Sequence, residues 1–128
     1  MKWNEFDTNI REYFKNLRDS ENLFDVTLVT EDEKQIKAHR LILAAGSQFF
    51  SDIFLKNDDA NMLIYLKGIR ITQLENIVDF IYNGEASIMQ EDLKEFLANG
   101  KELKLKGFQE ELHDKKGKIL RSQHQMMK

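Results

Sequence analysis

Apolar residues recur every three or four positions in three parts of the chain, and this spacing predicts three amphipathic helices. The first helical stripe follows Trp3 and consists of Phe6, Ile10, Tyr13, Phe14 and Leu17. The second stripe runs from Leu74 to Tyr82 and follows a capping-box pattern that begins at Thr72, which predicts Thr72 as the N-cap. The third stripe surrounds Phe96. Helices therefore account for most of the predicted structure.

The segment between the first two stripes alternates apolar and polar residues where short strands are expected. Phe24 to Leu28 alternates in this way, and Gln35 to Ala38 follows a polar turn, so the two segments predict a hairpin. Leu41 to Ala45 predicts a short apolar helix, and Ser47 is placed to cap the next helix. Met62 to Leu66 predicts a buried strand. The predicted class is α+β, a helical cluster flanked by a sheet of short strands.

Chain length and charge limit the domain organisation and the partners. The 128 residues fit one domain, and apolar residues thin out beyond residue 112, which predicts a domain over residues 3–112 and a basic polar tail over residues 113–128. The tail holds five basic residues and one acidic residue, so residues 1–112 carry a net charge of −7. We expect no direct nucleic-acid binding by this acidic domain, because phosphate binding depends on Lys and Arg. No apolar stretch approaches membrane-spanning length, so we expect no membrane association.

Catalytic and metal-binding motifs are absent from the sequence. The chain has no cysteine, and its histidines are His39, His113 and His124. His113 and His124 are spaced too far apart for a ligand pair at i and i+4, and a metal site would also need acids or thiolates beside them. The sequence contains no phosphate-binding glycine loop, nucleophile elbow or HExxH helix. We therefore expect no enzyme activity, no catalytic or cofactor-binding residue, no metal and no cofactor.

Two charged residues stand out in the predicted hairpin region. Asp25 lies within the first strand, on the side away from its apolar neighbours, and Arg40 lies where the second strand becomes a helix. In the simpler of two interpretations, both side chains are solvated or form an exposed ion pair that contributes little to stability. The alternative is a charged pocket at a protein interface, where truncating one member of the pair leaves the other charge without a partner.

The first helix also has two interpretations. Its aromatic face either packs on the body of the domain or covers the matching face of a partner, because large exposed apolar patches usually mark association. The sequence pattern favours neither interpretation over the other.

Seven short motifs, in their order and spacing along the chain, resemble those of the BTB/POZ domain, tramtrack-type subgroup. They are F-D-V-T-L from residue 24, I-K-A-H-R-L-I-L-A-A-G-S-Q-F-F from residue 36, D-I-F from residue 52, L-K-G-I from residue 66, L-E-N-I-V-D-F-I-Y-N-G-E from residue 74, D-L-K-E-F-L from residue 92 and E-L-K-L-K-G-F from residue 102. Together with the opening W-N, the resemblance spans Trp3 to Phe108.

The resemblance implies a dimeric BTB/POZ fold and a non-enzymatic interaction domain of a nuclear transcription or chromatin regulator. Its partners would be a second copy, a related BTB protein or a co-regulator peptide. The implied dimer interface comprises Trp3, Phe6, Ile10, Tyr13, Phe14 and Leu17, with Asp25 and Arg40 as the charged pocket. One alternative role is a substrate adaptor for a cullin-type ubiquitin ligase, with Phe49, Phe54 and Leu55 contacting the cullin scaffold. Another is a stand-alone inhibitor that forms heterodimers with related factors.

Overall fold

Among the described residues the fold has five helices and three short strands, in agreement with the predicted α+β class. The computed structural model describes residues 1–107. Phe108, the predicted domain end at residue 112 and the tail over residues 113–128 lie outside the described residues. In chain order the elements are α1 (Phe6–Ser20), β1 (Val26–Thr30), β2 (Gln35–Ala38), α2 (Arg40–Gly46), α3 (Gln48–Lys56), β3 (Met62–Leu66), α4 (Ile71–Asn83) and α5 (Gln90–Glu102).

The three described strands form one mixed sheet in the order β2-β1-β3. The predicted hairpin is confirmed, since β1 pairs antiparallel with β2. The predicted strand Met62–Leu66 is also confirmed and pairs parallel with β1. The prediction that this strand is buried is wrong, because Leu63 and Tyr65 are exposed and only Leu66 is buried. Val26, Leu28 and Thr30 of β1 are buried, whereas the residues between them are half-buried. One face of the sheet therefore covers the core, and the other is an outer face.

Helices α2 to α5 enclose the core beneath the sheet. Phe50 of α3 and Phe96 of α5 are fully buried, together with apolar residues of α2 and α4. Burying each aromatic ring contributes roughly 2 to 3 kcal/mol relative to leaving it exposed. α1 differs from the others because it contains no buried residue and lies against α4 from outside.

Helix capping confirms one sequence prediction and corrects another. The Ser47 side chain accepts a hydrogen bond from the backbone N–H of Phe50 at 3.2 Å, as a cap of α3 should. The prediction of Thr72 as the N-cap of α4 is wrong, because the helix begins at Ile71. The carboxylate of Asp32, in the hairpin turn, accepts the Ile71 N–H at 3.1 Å instead. The Thr30 hydroxyl also donates to Asp32 and holds the pKa of that carboxyl below its usual value.

Candidate interaction surface and charged pocket

Helix α1 and the segment just before it present aromatic side chains to solvent. Trp3, Phe6 and Tyr13, which we call the α1 aromatic face, are 55%, 48% and 55% exposed. The Trp3 and Phe6 rings pack edge to face with centroids 5.1 Å apart, so the two side chains form one contiguous apolar surface. Such a surface is typical of an association site.

The C-terminal part of α1 is fixed to the body of the domain. Phe14 packs against the core cluster, and Ile10 and Leu17 are half-buried. Arg18 pairs with Asp79 of α4 at 2.7 Å, and its guanidinium lies 5.3 Å from the centre of the Tyr82 ring. The packing interpretation therefore holds for one part of α1, and the partner interpretation stays a prediction for the exposed part. The inner positions pack on the domain, and the outer ones remain available to a partner.

Asp25 and Arg40 contact each other, so they do not act as two separately solvated charges. Arg40 Nε lies 3.1 Å from Asp25 Oδ2, and both side chains are partly exposed. Asp25 Oδ1 also accepts the backbone N–H of Arg40 at 2.7 Å. That N–H is the first of α2, so Asp25 caps this helix from a neighbouring segment. Arg40 additionally donates to the backbone carbonyl of Asp59 at 3.0 Å.

Asp25→Ala is expected to cost more stability than Arg40→Ala. Both substitutions remove an ion pair that contributes up to about 1 kcal/mol, but only Asp25→Ala also removes the cap, which contributes about another 1 kcal/mol. Urea unfolding should show that the free energy of unfolding falls by about 2 kcal/mol in Asp25→Ala and by less in Arg40→Ala. Glu95→Ala is the control, because it removes the 3.3 Å ion pair to Arg70. Equal losses for Asp25→Ala and Glu95→Ala would contradict the capping role.

A buried histidine next to this pocket joins three segments of the chain. His39 is only 6% exposed, and its Nδ1 and backbone N lie 2.6 and 2.9 Å from the Tyr82 hydroxyl oxygen of α4. Its Nε2 lies 2.7 Å from the backbone carbonyl of Asn22, between α1 and β1. Phe24 stacks obliquely on the imidazole with a centroid distance of 4.8 Å. We call His39, Tyr82, Asn22 and Phe24 the histidine cluster.

The hydrogen bonds assign the protons within the histidine cluster. The carbonyl of Asn22 can only accept, so His39 Nε2 carries the proton and donates to it. In the neutral imidazole, His39 Nδ1 then accepts from the Tyr82 hydroxyl, whose oxygen accepts the His39 backbone N–H. Burial raises the pKa of Tyr82 to about 12, so the hydroxyl keeps its proton over the ordinary pH range. The cluster ties the end of α1 to α4 beside the charged pocket.

Sequence reasoning singled out neither His39 nor its partner Tyr82 as a site residue. The two residues are 43 positions apart, and Tyr82 belongs to an otherwise apolar helical stripe. A tyrosine on a buried stripe must place its hydroxyl against a polar group. The sequence could therefore have indicated that the Tyr82 hydroxyl has a polar partner, but not that this partner is His39.

The residues proposed for cullin contact have different exposures. Phe49 and Phe54 are half-buried and pack against the core, where Phe54 stacks on Phe50 with a centroid distance of 5.9 Å. Leu55 is 83% exposed. Of these three residues, Leu55 is therefore the one that offers most of its side chain to a partner.

Among residues 1–107, no group of three or more His, Cys, Asp or Glu side chains is arranged to hold a metal ion. In the same described part of the chain, no helix is both long enough and apolar enough to cross a membrane.

Comparison with known proteins agrees with this geometry. Residues 14–119 match the family model of the BTB/POZ domain. In Drosophila melanogaster, Longitudinals lacking protein-like is 38% identical over 110 residues, which is 86% of this chain and 86% of that protein. Protein tramtrack, alpha isoform, is 33% identical over 90% of this chain. The chain belongs to the BTB/POZ domain family, whose members are protein-interaction domains.

Further relatives define the fold and the extent of the match. The BTB domain of zebrafish PATZ1 superposes with a TM-score of 0.75 at 20% identity, covering 89% of this chain and 93% of that domain, which confirms the fold. Protein abrupt of Drosophila melanogaster is 36% identical over 84% of this chain. The chain spans only 12% of the length of abrupt and 14% of that of tramtrack, but most of the length of Longitudinals lacking protein-like.

Proposed function

We propose that this chain is the dimerising domain of a nuclear regulator of transcription or chromatin. It acts without catalysis, by pairing with a second copy through the α1 aromatic face and the charged pocket. The observation that carries the proposal is α1 itself, a helix with no buried residue, in which Phe6 and Tyr13, like the preceding Trp3, are about half exposed. Covering these rings with a second copy would remove them from water and stabilise the pair.

The family assignment supports a regulatory role. BTB domains dimerise and bind partner proteins, and abrupt, fruitless and tramtrack are transcription regulators. A pairing domain of this kind would bring two copies of such a regulator together in the nucleus. The dimer would leave the remaining surface for a co-regulator peptide.

Light scattering at low concentration tests the pairing. Obligate dimers bury roughly 2,000 Å² or more and persist on dilution, so we expect a species of about 30 kDa at about 1 μM, twice the 15.1 kDa of one chain. A 15 kDa species at that concentration would contradict the proposed function.

A second candidate function is heterodimerisation with the BTB domains of longer relatives. It is supported by Longitudinals lacking protein-like, a relative of nearly the same length as this chain that carries the same domain. Mixing this chain with the BTB domain of a longer relative should give a mixed dimer by native mass spectrometry. Two unmixed homodimers after prolonged incubation would exclude this function.

A further inference from the structure

The outward side of α3 has an exposed apolar residue near its end. Leu55, at 83%, is the most exposed large apolar residue of the described helices. Gln48 and Asp52 are also exposed, and they lie on the same side of the helix because the three residues are spaced by four and three positions. We call Gln48, Asp52 and Leu55 the α3 face. Most of the Leu55 side chain is thus left to water by the described residues.

Acidic side chains surround Leu55. Asp52 belongs to the α3 face, and Asp58 and Asp59 follow the helix at exposed positions. Residues 48–59 contain these three acids and one base, Lys56, so this part of the surface carries a net charge of −2. The ion pairs found among residues 1–107 involve other acids, so these three carboxylates remain open to a cation. A ligand of the α3 face should therefore combine basic side chains with apolar ones.

The tail of the same chain has a segment of this composition. Residues 115–121, outside the described part of the chain, have the sequence K-K-G-K-I-L-R. They include four bases and no acid, and two apolar residues, Ile119 and Leu120, stand next to each other among the bases. We call residues 115–121 the basic tail segment. Its charge is opposite to that around Leu55, and its apolar pair matches the apolar centre of the α3 face.

The chain after α5 is attached to the beginning of α3. Leu105 forms an antiparallel bridge with Ser47, the N-cap of α3. The backbone N–H of Gln48 donates to the carbonyl of Lys104 at 3.1 Å, and the Ser47 hydroxyl donates to the carbonyl of Leu103 at 2.6 Å. Leu105 itself is fully buried. The tail therefore starts from a fixed point beside the first turn of α3.

The basic tail segment is close enough in the chain to reach Leu55. Because a helix rises about 1.5 Å per residue, Leu55 lies about 12 Å along α3 from Ser47. Ten residues lead from Leu105 to Lys115, and they span about 15 Å as a helix and up to about 35 Å when extended. Both lengths exceed the distance along α3. A segment tethered in this way has an effective concentration of about a millimolar, so even weak contacts would hold it in place.

We propose that the basic tail segment binds the α3 face of its own chain. Its bases lie against the acids around Leu55, and its two apolar residues cover the Leu55 side chain. A protein that binds the α3 face has to displace the segment first, so the tail acts as an internal competitor that lowers the affinity of such a partner. The inference goes beyond the proposed function, because it involves neither the α1 aromatic face nor the charged pocket.

Disulfide formation in the full chain tests this contact, since the chain has no cysteine of its own. Asn57→Cys with Ser122→Cys places one thiol beside Leu55 and the other just after the basic tail segment. Ser87→Cys with Ser122→Cys is the matched control, because residue 87 is also exposed and the 17 residues from Leu105 to Ser122 span up to about 60 Å. We expect the first pair to form its intrachain disulfide about tenfold faster or more, because binding raises the local concentration of the tail thiol. Equal rates for the two pairs, or disulfides mainly between two chains, would overturn the proposal.

Charge reversal in the tail tests the chemistry of the contact. Lys115→Glu with Lys116→Glu should slow the disulfide between residues 57 and 122 about fivefold or more, because it replaces attraction by repulsion at exposed positions. Salt at about 0.5 M should slow it as well, since it screens exposed charges. Lys67→Glu with Lys94→Glu is the control, because it makes the same change in net charge at two exposed positions outside the α3 face. A rate that is the same in both double variants would contradict the role of the basic residues.

The Tyr13→Asp variant separates this contact from the proposed function. Its α1 aromatic face is disrupted, yet the disulfide between residues 57 and 122 should form within one chain at the same rate as without the substitution. Loss of the disulfide in this variant would overturn the contact within one chain. A wild-type protein that is monomeric at low concentration contradicts the proposed function alone, whereas equal rates at residues 57 and 87 contradict the tail contact alone.

Discussion

Tyr13→Asp is expected to raise the dissociation constant of the dimer about a hundredfold or more. Tyr13 is 55% exposed in the α1 aromatic face, so a charge there leaves the folded chain largely intact and is costly only when the face is covered. Truncating an aromatic anchor typically costs about 2 kcal/mol or more, and a symmetric dimer carries the change twice. Dilution series followed by light scattering should show a monomer at concentrations where the wild-type protein is a dimer.

Thr8→Asp is the matched control for this experiment. Thr8 lies on the same helix but on the opposite side from Phe6 and Tyr13, and it is also exposed. The two variants have the same net charge, so a difference between them reports the position on the helix. Thr8→Asp should dimerise like wild type, and circular dichroism should show equal helix content in both. Unchanged dimerisation of Tyr13→Asp would exclude the α1 aromatic face as the interface.

Tyr82→Phe is expected to lower the free energy of unfolding by about 2 kcal/mol near neutral pH. The variant loses no ring packing, but it leaves the His39 backbone N–H and Nδ1 without their hydroxyl partner in a buried site. A buried polar group without a partner costs about 1 to 3 kcal/mol. Tyr65→Phe is the control, because Tyr65 is 54% exposed, and it should change stability by less than about 0.5 kcal/mol. Equal unfolding midpoints for both variants would contradict the role of the histidine cluster.

The stabilities of the wild-type protein and Tyr82→Phe are expected to depend differently on pH in the alkaline range. The pKa of Tyr82 is raised to about 12 in the folded protein, against about 10 for tyrosine in an unfolded chain. The stabilisation linked to the protonated hydroxyl is therefore complete below about pH 10 and is lost as the pH rises through about 12. Urea unfolding should show a steeper fall for wild type than for Tyr82→Phe over this interval, with the two curves converging. Parallel curves would contradict the raised pKa.

Local patterns in the sequence predicted much of the fold. The α1 stripe, the hairpin and the strand Met62–Leu66 depend on side-chain period and turn residues, which act between near neighbours. Ser47 caps α3 as predicted, because an N-cap needs only residues three positions apart. A charged pocket at an interface was one of two interpretations of Asp25 and Arg40, the other being solvated charges or an exposed ion pair, and the family resemblance raised the weight of the pocket. Its role as an interface pocket stays a prediction.

Contacts between distant segments were not predictable in this way. The Thr72 capping box satisfied every local criterion, yet Asp32, 39 residues away from Ile71, supplies the acceptor at the start of α4. The helix begins earlier because a carboxylate from the hairpin turn already satisfies its N-terminal amide. The His39–Tyr82 bond is similar, since its partners meet only after α2, which His39 precedes, packs against α4.

The sequence by itself determined the element types, the family and the absence of recognisable catalytic motifs, because periodicity and motif order are properties of the linear chain. Only the tertiary structure decided which part of α1 packs and which stays exposed. Only the structure showed that β3 lies beside β1 at an edge of the described sheet. The physical reason is that exposure and hydrogen-bond partners depend on what other segments cover. Residues with the same local pattern, such as Phe14 and Tyr13, therefore differ in burial and in the role proposed for them.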